Sequence, residues 1–324
     1  MIEYLIKPGN LLKAGFSYLE ASVTGKADLK GMPLSVSAEL TNTCNLNCPQ
    51  CFSGSGLMTR KRGFMDIELY KKVMKELIPY LYNANLYFQG EPMLHPLFFS
   101  FIGIPTTVHS VVSTNGHFLS EENSEKLVRS PLSRLIVSLD GIDQNTYSTY
   151  RINGNITDVT AGLKNLAIAK KRHKSSLKIE IQFLVNSINE NQIEQVRQFA
   201  KSVNALLRLK SMQIINRAEI GSWLPSGRRF RRYRMIEGEY VSKNRLPDRC
   251  ARLWFNPVIT WDGKVVPCCF DKNAEYVMGD LNNESFREIW NGPKFRIFRK
   301  SILSGRHMIE MCRDCTSGLR GVEY

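Results

Sequence analysis

The stretch Cys44-Asn-Leu-Asn-Cys48-Pro-Gln-Cys51 places three cysteines within eight residues. Three thiolates on one short loop form an incomplete ligand set, because a structural zinc ion takes four protein ligands and an ordinary four-iron cluster takes four thiolates. A four-iron cube held by only three cysteines leaves one iron open to a small molecule. The alternative is a zinc site whose fourth ligand lies elsewhere in the chain.

The remaining five cysteines all lie after residue 249. The sequence shows no signal peptide, so we expect a cytoplasmic protein in which thiols stay reduced and bind metal in preference to forming disulfides. The distribution predicts two metal sites. The first has the three cysteines of residues 44–51, the second has Cys250, Cys268, Cys312 and Cys315, and Cys269 is left over.

Apolar segments of strand type and of helix type alternate from residue 34 onward. The predicted strands are 34–40, 84–88, 106–112, 134–139, 177–184 and 206–213. The predicted helices are 66–80, 94–102, 120–129, 158–173 and 190–202. Such alternation indicates parallel strands joined by helical crossovers. Six repeats predict an α/β fold with an incomplete (β/α)6 TIM-like barrel.

Polar or glycine-containing clusters follow five of these predicted strands. In parallel α/β folds the loops at the carboxyl ends of the strands carry the chemistry. We therefore expect one active-site face, formed by residues 44–51 and by Gln89, Gly90, Glu91, Ser113, Asn115, Ser138, Asp140, Asn216 and Arg217.

The cysteine spacing and three of these clusters together resemble the radical S-adenosylmethionine (SAM) superfamily. Gln89-Gly-Glu-Pro92 is similar to the Gly-Gly-Glu-Pro element of that family, with one change at the first position. Residues 113–116 (Ser-Thr-Asn-Gly) and 137–141 (Val-Ser-Leu-Asp-Gly) resemble its third- and fourth-strand signatures. The resemblance implies an enzyme whose [4Fe-4S] cluster reductively cleaves SAM to a 5′-deoxyadenosyl radical, which then abstracts a hydrogen atom from the substrate.

The resemblance also implies a role for each matching position. Cys44, Cys48 and Cys51 would hold the cluster that binds SAM. The residues that would bind SAM itself are Gln89, Gly90, Glu91, Ser113, Asn115, Ser138 and Asp140.

The later cysteines carry a second resemblance. The pattern Cys250-x17-Cys268 encloses an Asp-Gly turn at residue 263, and Cys312-x2-Cys315 follows. Residues 258–266 are predicted to form a hairpin that brings Cys250 and Cys268 together. This arrangement resembles the auxiliary-cluster domain called SPASM in its shortened form, called twitch, and implies one auxiliary [4Fe-4S] cluster. A structural zinc ion on the same four cysteines is the alternative.

Among SPASM-type enzymes, the cysteine spacing is most similar to that of members that oxidise a cyclitol alcohol. The resemblance does not assign the proton acceptor, and Cys269 and Asp271 are the candidates. Arg217 and the arginines of residues 228–234 are candidate substrate contacts. The favoured substrate is therefore a sugar or cyclitol alcohol, and the alternatives are a peptide or protein side chain, an RNA, and a non-enzymatic zinc-binding module.

The formal net charge, 44 basic minus 30 acidic residues, is +14. This excess suits an anionic small molecule, RNA or an anionic membrane surface. The auxiliary domain argues against nucleic acid, and no apolar run is long enough to cross a membrane. We expect a small-molecule substrate or a peptide as partner, together with a reducing partner such as flavodoxin or ferredoxin.

Residues 1–33 are predicted to be helical, with Leu5, Leu12, Phe16 and Leu19 on one stripe. We expect this segment to pack against the main domain. Contact with a membrane surface is the alternative, because Lys7, Lys13, Lys26 and Lys30 flank the stripe. The predicted domains are an N-terminal helical extension (1–33), a radical SAM core (34–217), a basic linker (218–249) and a SPASM/twitch domain (250–324).

Overall fold

The computed structural model describes residues 3–243, 246–313 and 315, with side chains described from residue 6 onward. The helices are α1 (Glu3–Thr24), α2 (Ile67–Leu77), α3 (Phe98–Ile102), α4 (Glu121–Arg129), α5 (Gln144–Tyr150), α6 (Ile156–Arg172), α7 (Ile193–Ser202), α8 (Ile220–Trp223), α9 (Arg252–Phe255), α10 (Phe286–Asn291), α11 (Pro293–Gly305) and α12 (Glu310–Arg313). The strands are β1 (Ser35–Ala38), β2 (Asn83–Asn85), β3 (His109–Thr114), β4 (Arg134–Ser138), β5 (Lys178–Val185), β6 (Leu206–Ser211), β7 (Tyr233–Ile236), β8 (Glu239–Ser242), β9 (Val258–Ile259), β10 (Lys264–Val266) and β11 (Gly279–Asp280).

The chain divides into two compact units, each made of separate segments of sequence. Among the described residues, unit 1 contains 3–43, 58–111, 246–313 and 315. Unit 2 contains 44–57 and 112–243. Strand β3 begins in unit 1 and ends in unit 2. The predicted domain boundaries stay a prediction, because they divide the chain along the sequence and these units do not.

In unit 1 the strands have the order β11-β10-β9-β1-β2-β3. β1 pairs in parallel with both β2 and β9, whereas β9, β10 and β11 form an antiparallel meander. The predicted hairpin is present, and Gly263 has φ +84° at its turn, a conformation that favours glycine. Glu39 follows β1, and its buried carboxylate pairs with Arg60 at 2.6 Å and accepts a hydrogen bond from the Trp261 backbone N–H.

In unit 2 the end of β3 is followed by β4, β5 and β6 in chain order. The β4–β5 and β5–β6 pairs are parallel, and β5 is buried at five of its eight positions. Helix α6 begins where the Asn155 side chain accepts a hydrogen bond from the Thr157 N–H, and it buries Val159, Leu163 and Leu166. The antiparallel β7–β8 hairpin forms a separate two-stranded sheet.

The predicted fold class is confirmed. Each of β1 to β6 lies within a few residues of its predicted range and is followed by a helix before the next strand. The parallel pairing of β1 with β2, β2 with β3, β4 with β5 and β5 with β6 is the pairing expected of a barrel-like α/β fold.

The N-terminal helix packs on the rest of unit 1, as predicted, but not through its apolar stripe. Residues 3–24 are helical, but Leu12, Phe16 and Leu19 are 73%, 55% and 64% exposed. The face of α1 that is buried instead carries small and polar residues, namely Asn10, Ala14, Ser17 and Ala21. These short side chains allow close backbone packing, since a Cβ at Gly31 would lie only 2.7 Å from the Ala14 nitrogen. The side chain of Leu5 lies outside those described.

The described part of the chain contains no helix that is both long enough and apolar enough to cross a membrane.

Candidate functional site

The first cysteine loop belongs to unit 2 and rests on its apolar core. Cys48 is buried within a cluster that includes Leu46, Met212 and Trp223, while Cys44 and Cys51 pack against the same cluster and are partly exposed. A tight turn closes the loop through a hydrogen bond from the Cys51 N–H to the Cys48 carbonyl, 3.2 Å long. The apolar core therefore fixes the three-cysteine loop on one side and leaves two of its thiols accessible on the other.

The three sulfurs interact with one another. Burial, aided by the nearby sulfurs of Cys51 and Cys44 and opposed by Arg151, raises the pKa of Cys48 to about 11. The Arg151 guanidinium donates to the Cys48 sulfur at 3.7 Å, and the Leu46 N–H donates to the Cys44 sulfur at 3.4 Å. Donors to sulfur of this kind are a feature of thiolates that ligate iron–sulfur clusters.

Arg151 is a residue of this site that the sequence did not reveal. Its guanidinium pairs with the buried carboxylate of Asp140 at 2.5 Å, and the other Asp140 oxygen accepts from the Leu184 N–H at 2.7 Å. Burial alone lowers the pKa of Arg151, but Asp140 and then Cys48 raise it well above the ordinary value. The role predicted for Asp140 was contact with SAM, yet the observed contacts of its carboxylate are with Arg151 and Leu184.

The end of β3 places Asn115 beside the first cysteine loop. Its amide nitrogen donates to the Asn45 side chain at 2.8 Å and lies 3.9 Å from the Cys44 sulfur. His117 is a second residue that the sequence did not reveal. Its Nε2 accepts from the Asn155 N–H at 3.0 Å, so the proton of the neutral ring lies on Nδ1, 3.1 Å from the Asn115 oxygen. Burial lowers the pKa of His117, which favours this neutral ring.

Ser113 and Ser138 are the other predicted SAM contacts in unit 2. Ser113 is half-buried near the end of β3, and Ser138 is the last residue of β4 and is buried. Unit 2 therefore brings together the first cysteine loop, Asn115 and the Asp140–Arg151 pair, as the strand-end argument predicted for one edge of parallel strands.

The Gln89-Gly-Glu-Pro92 turn belongs to unit 1. Gly90 has φ +76°, and a Cβ there would lie 2.5 Å from the Thr41 carbonyl oxygen, so no larger residue fits. The Glu91 N–H donates to the carbonyl of Thr43, the residue that precedes Cys44 in the sequence, at 2.8 Å. The buried Glu91 carboxylate accepts from the Met93 N–H at 3.0 Å, and Gln89 is half-buried. These contacts hold the turn against the segment that leads into the cysteine loop.

The second cysteine group lies entirely within unit 1. Burial raises the pKa of Cys268 well above its ordinary value, and the sulfurs of Cys269, Cys250 and Cys315 add to the shift. Burial also raises the pKa of Cys312 to about 12, with contributions from Cys315 and Cys250. The four predicted ligands are therefore close enough to interact, although they come from separate parts of the sequence.

Two arginines accompany this second group. The sulfur of Cys269, ahead of those of Cys268, Cys250 and Cys315, raises the pKa of Arg252. Arg306 donates to the Cys315 sulfur at 3.4 Å and to the Arg249 carbonyl at 3.1 Å. Its buried Nε has no hydrogen-bond acceptor among the described residues. A buried donor of this kind beside thiolates fits a site in which sulfur atoms of a cluster complete its hydrogen bonding.

The donor sets fit iron–sulfur clusters. None of the eight cysteines forms a disulfide. Among residues 3–243, 246–313 and 315, no three side chains of His, Cys, Asp or Glu are arranged to hold a single metal ion. A four-iron cube takes one thiolate at each iron, so its ligands surround the cube instead of converging on one point. Four free thiols are the ligand set that one cube requires, so the second group fits an auxiliary cluster.

Asp271 and Arg232 are among the predicted proton acceptors and substrate contacts that make structural hydrogen bonds. Both oxygens of the buried Asp271 carboxylate accept backbone N–H groups, from Glu275 at 2.8 Å and Tyr276 at 2.9 Å. Burial raises the pKa of Asp271, against the opposing effect of these hydrogen bonds. Arg232, in the arginine block, is buried and donates to the Ser211 carbonyl at 2.9 Å. Cys269 is partly exposed, and Arg217 is exposed on a short 3₁₀ turn in unit 2.

Two known protein families match segments of this chain. Residues 38–201 match the radical SAM superfamily, and residues 250–316 match the family described as SPASM, an iron–sulfur cluster-binding domain. The S-adenosyl-L-methionine-dependent 2-deoxy-scyllo-inosamine dehydrogenase of Niallia circulans is 23% identical over 289 residues, which are 87% of this chain and 92% of that protein.

Two solved structures share the fold. The structure of BtrN in complex with AdoMet and 2-DOIA matches with a TM-score of 0.54 and 20% identity, over 89% of this chain and 94% of that chain. The structure of Streptococcus suis SuiB bound to the precursor peptide SuiA matches with a TM-score of 0.63 and 12% identity, over 93% of this chain and 74% of that chain.

Proposed function

The chain belongs to the radical SAM superfamily, and we propose that it oxidises an alcohol of a sugar or cyclitol to a carbonyl group. When bound, the first cluster and SAM supply a 5′-deoxyadenosyl radical that removes the carbinol hydrogen. Completing the oxidation requires that the substrate also lose its hydroxyl proton and one further electron. The second cluster is the acceptor proposed for that electron.

The residues proposed to hold these groups are those predicted from the sequence. Cys44, Cys48 and Cys51 would ligate the first cluster, with Arg151 and Asn115 donating hydrogen bonds toward its sulfurs. In unit 2, SAM would contact Ser113, Asn115 and Ser138, with Asp140 orienting Arg151. In unit 1, SAM would contact Gln89, Gly90 and Glu91. Cys250, Cys268, Cys312 and Cys315 would ligate the auxiliary cluster.

The observation that carries the substrate class is the extent of the match to the inosamine dehydrogenase. This chain covers 92% of that relative, and among the structures it covers 94% of the BtrN chain but only 74% of the peptide-bound SuiB chain. A match that spans nearly the whole of a small-molecule dehydrogenase supports the same class of substrate. The second candidate, modification of a peptide side chain, is supported by the higher TM-score to SuiB.

Cys269 is the better candidate for the proton acceptor. Both oxygens of Asp271 already accept backbone hydrogen bonds and stabilise the turn at residues 271–276. Cys269 is partly exposed and carries a thiol that can take a proton as thiolate. Arg217 and the exposed arginines at positions 228, 229 and 234 are proposed to contact an anionic group of the substrate.

The decisive experiment is anaerobic incubation of the reconstituted protein with SAM and dithionite. We expect 5′-deoxyadenosine, measured by liquid chromatography and mass spectrometry, even without substrate. Cys44→Ala should yield none while its circular dichroism stays unchanged. Absence of 5′-deoxyadenosine from the reconstituted wild-type protein would disprove the enzymatic proposal.

The substrate class is tested with deuterium at the carbinol carbon of candidate cyclitols and sugars. Transfer of deuterium into 5′-deoxyadenosine, with formation of a ketone, would support alcohol oxidation. Transfer from a deuterated peptide side chain, and none from any cyclitol or sugar, would establish the peptide alternative instead. Cys269→Ser should keep deuterium transfer but lose ketone formation, whereas Asp271→Asn should lower stability without this uncoupling.

The reducing partner and the cytoplasmic location stay predictions. Replacing dithionite with reduced flavodoxin or ferredoxin tests the first, because a competent partner should support the same yield of 5′-deoxyadenosine. Cell fractionation of the full chain tests the second.

A further inference from the structure

An ordinary surface helix buries its large apolar side chains. Helix α1 instead buries small side chains and exposes its large apolar ones. Its small residues face the protein, whereas Leu12, Phe16, Leu19 and Val23 are spaced four, three and four apart and lie on the solvent side. We call these four residues the α1 stripe. Val23 is 85% exposed, the highest value in the stripe. A helix normally buries such a stripe, so its exposure over three turns calls for an apolar partner.

Basic side chains border the α1 stripe. Lys13 and Lys26 are exposed, and the Lys30 ammonium lies 4.2 Å from the centre of the Phe16 ring. Glu20, the acidic residue nearest the stripe, pairs with Lys30 at 2.7 Å. Asp28 pairs with Arg296 at 3.3 Å, which offsets its charge. The stripe is therefore an apolar row with an excess of positive charge along its edge.

A groove opens beside the same lysines within unit 1. It has a volume of about 570 Å³ and is lined by residues of α1, of the 29–32 segment and of α10. Its basic side chains are Lys13, Lys30 and Arg287, and its polar side chains include Asn10 and Asn291. Two of the lysines that border the α1 stripe, Lys13 and Lys30, therefore also line a basic groove that can admit an anionic group.

We propose that the α1 stripe binds the surface of an anionic lipid bilayer. An interfacial helix lies in the plane of the membrane, with its apolar residues among the acyl chains and its lysines at the headgroups. The α1 stripe offers both features. Phosphate groups of anionic lipids would contact Lys13, Lys26 and Lys30, and long lysine side chains can extend from an apolar surface to reach them.

The charges around the α1 stripe favour an anionic bilayer over a second copy of the chain as its partner. A symmetric dimer through the α1 stripe would bring the same lysines of both copies around one apolar row. The net charge of +14 on each copy would add to that repulsion. An anionic bilayer instead gains from both the apolar row and the lysines.

The test is co-sedimentation of the full chain with two kinds of vesicles, one of phosphatidylcholine alone and one of phosphatidylcholine and phosphatidylglycerol in equal parts. The protein should pellet with the anionic vesicles and remain largely in solution with the neutral ones. Phe16→Ser/Leu19→Ser should weaken vesicle binding by at least about tenfold, because two large apolar side chains are lost. Lys13→Gln/Lys26→Gln should abolish the preference for anionic vesicles.

The matched control is Ile168→Ser, which removes an equally exposed apolar side chain from α6 (58% exposed). It should bind vesicles as the wild type does. All these sites are on the surface, so circular dichroism melting should be unchanged in each variant. Three outcomes would overturn the proposal: no binding of the wild type to anionic vesicles, equal loss of binding in Ile168→Ser, and a wild-type dimer that becomes a monomer in Phe16→Ser/Leu19→Ser. The last result would make the stripe a subunit interface.

Discussion

The two cysteine sites are assembled in different ways. The first takes all its cysteines from one eight-residue loop whose shape is set by a local turn and by packing on the core of unit 2. The second takes its cysteines from four places: two residues before α9, two residues after β10, within α12, and at residue 315. The first site is thus a property of a short sequence, whereas the second exists only when a large part of unit 1 is folded.

The sites also differ in charge. Near the first, Arg151 is neutralised by its ion pair with Asp140. Near the second, Arg252 and Arg306 both interact with the cysteine sulfurs, and the contacts described for Arg306 are to sulfur and to a backbone carbonyl. Positive charge and hydrogen bonds near a cluster favour its reduced form. We therefore predict that a cluster at the second site accepts an electron more readily than one at the first.

The largest effect is expected from removing one ligand of each site. Cys48→Ala should abolish 5′-deoxyadenosine formation, while Cys268→Ala should retain it and lose only the oxidised product. Each variant should lose about four of about eight iron atoms per chain, as measured by iron and sulfide analysis. Zinc in place of four irons in the wild type would contradict the cluster assignment of the second site.

The next largest effect concerns the ion pair behind the first site. Asp140→Asn leaves the Arg151 guanidinium buried without its counter-charge, so the free energy of unfolding should fall by about 3–5 kcal/mol. Urea denaturation measures this change. Glu194→Gln, which breaks the exposed pair with Arg197, should change the same quantity by less than about 1 kcal/mol. Similar losses in the two variants would mean that the Asp140–Arg151 pair is solvated.

Two glycine substitutions test whether close packing of Gly54 against Cys48 sets the shape of the first cysteine loop. A Cβ at Gly54 would lie 2.5 Å from the Cys48 nitrogen, whereas a Cβ at Gly56 would meet nothing within 4 Å. Gly54→Ala should cost about 1–3 kcal/mol by overpacking and displace the cysteine loop. Gly56→Ala should cost about 1–2 kcal/mol through its φ of +80° alone. Iron analysis should then show loss of the first cluster only in Gly54→Ala.

A smaller effect is expected at the second site from Arg306. Arg306→Gln removes the charge beside Cys315 but keeps an amide donor, so the reduction potential of the auxiliary cluster should fall by tens of millivolts. Spectroscopically monitored redox titration measures it. Arg296→Gln, on the exposed side of the adjoining helix α11, is the matched control and should leave the potential unchanged.

The smallest effect is the pH response at His117. Its pKa is lowered from 6.5 by burial, so the neutral ring is the folded form. The unfolded chain binds the proton more readily, and the stability that this ring contributes is present above pH 6.5 and decreases as the pH falls below that value. Thermal unfolding should show a shallower loss between neutral and acidic pH in His117→Asn than in the wild type. NMR evidence for a protonated ring at neutral pH would contradict this assignment.

The sequence predicted what depends on local pattern. The strand at Arg134–Ser138, the turn at Gly90 and the cysteine spacing all follow from periodicity or from motif residues. It did not predict Arg151, His117 or Arg306, because each reaches its partner only through the tertiary fold. The pattern of α1 predicts a helix but not that its large apolar residues are exposed, since a periodic apolar pattern does not by itself say what covers it.

The pairing of β1 with β9 determines whether the protein can be shortened. β1 lies between β2 and β9, so the strand that leads into the segment matched by one family pairs with a strand of the segment matched by the other. A shortened protein that ends at residue 249 would turn β1 into an unprotected sheet edge and would leave Glu39 without its hydrogen bond from Trp261. Exposed edges of this kind recruit strands from other molecules. Such a truncation would therefore favour aggregation over an independently folded core.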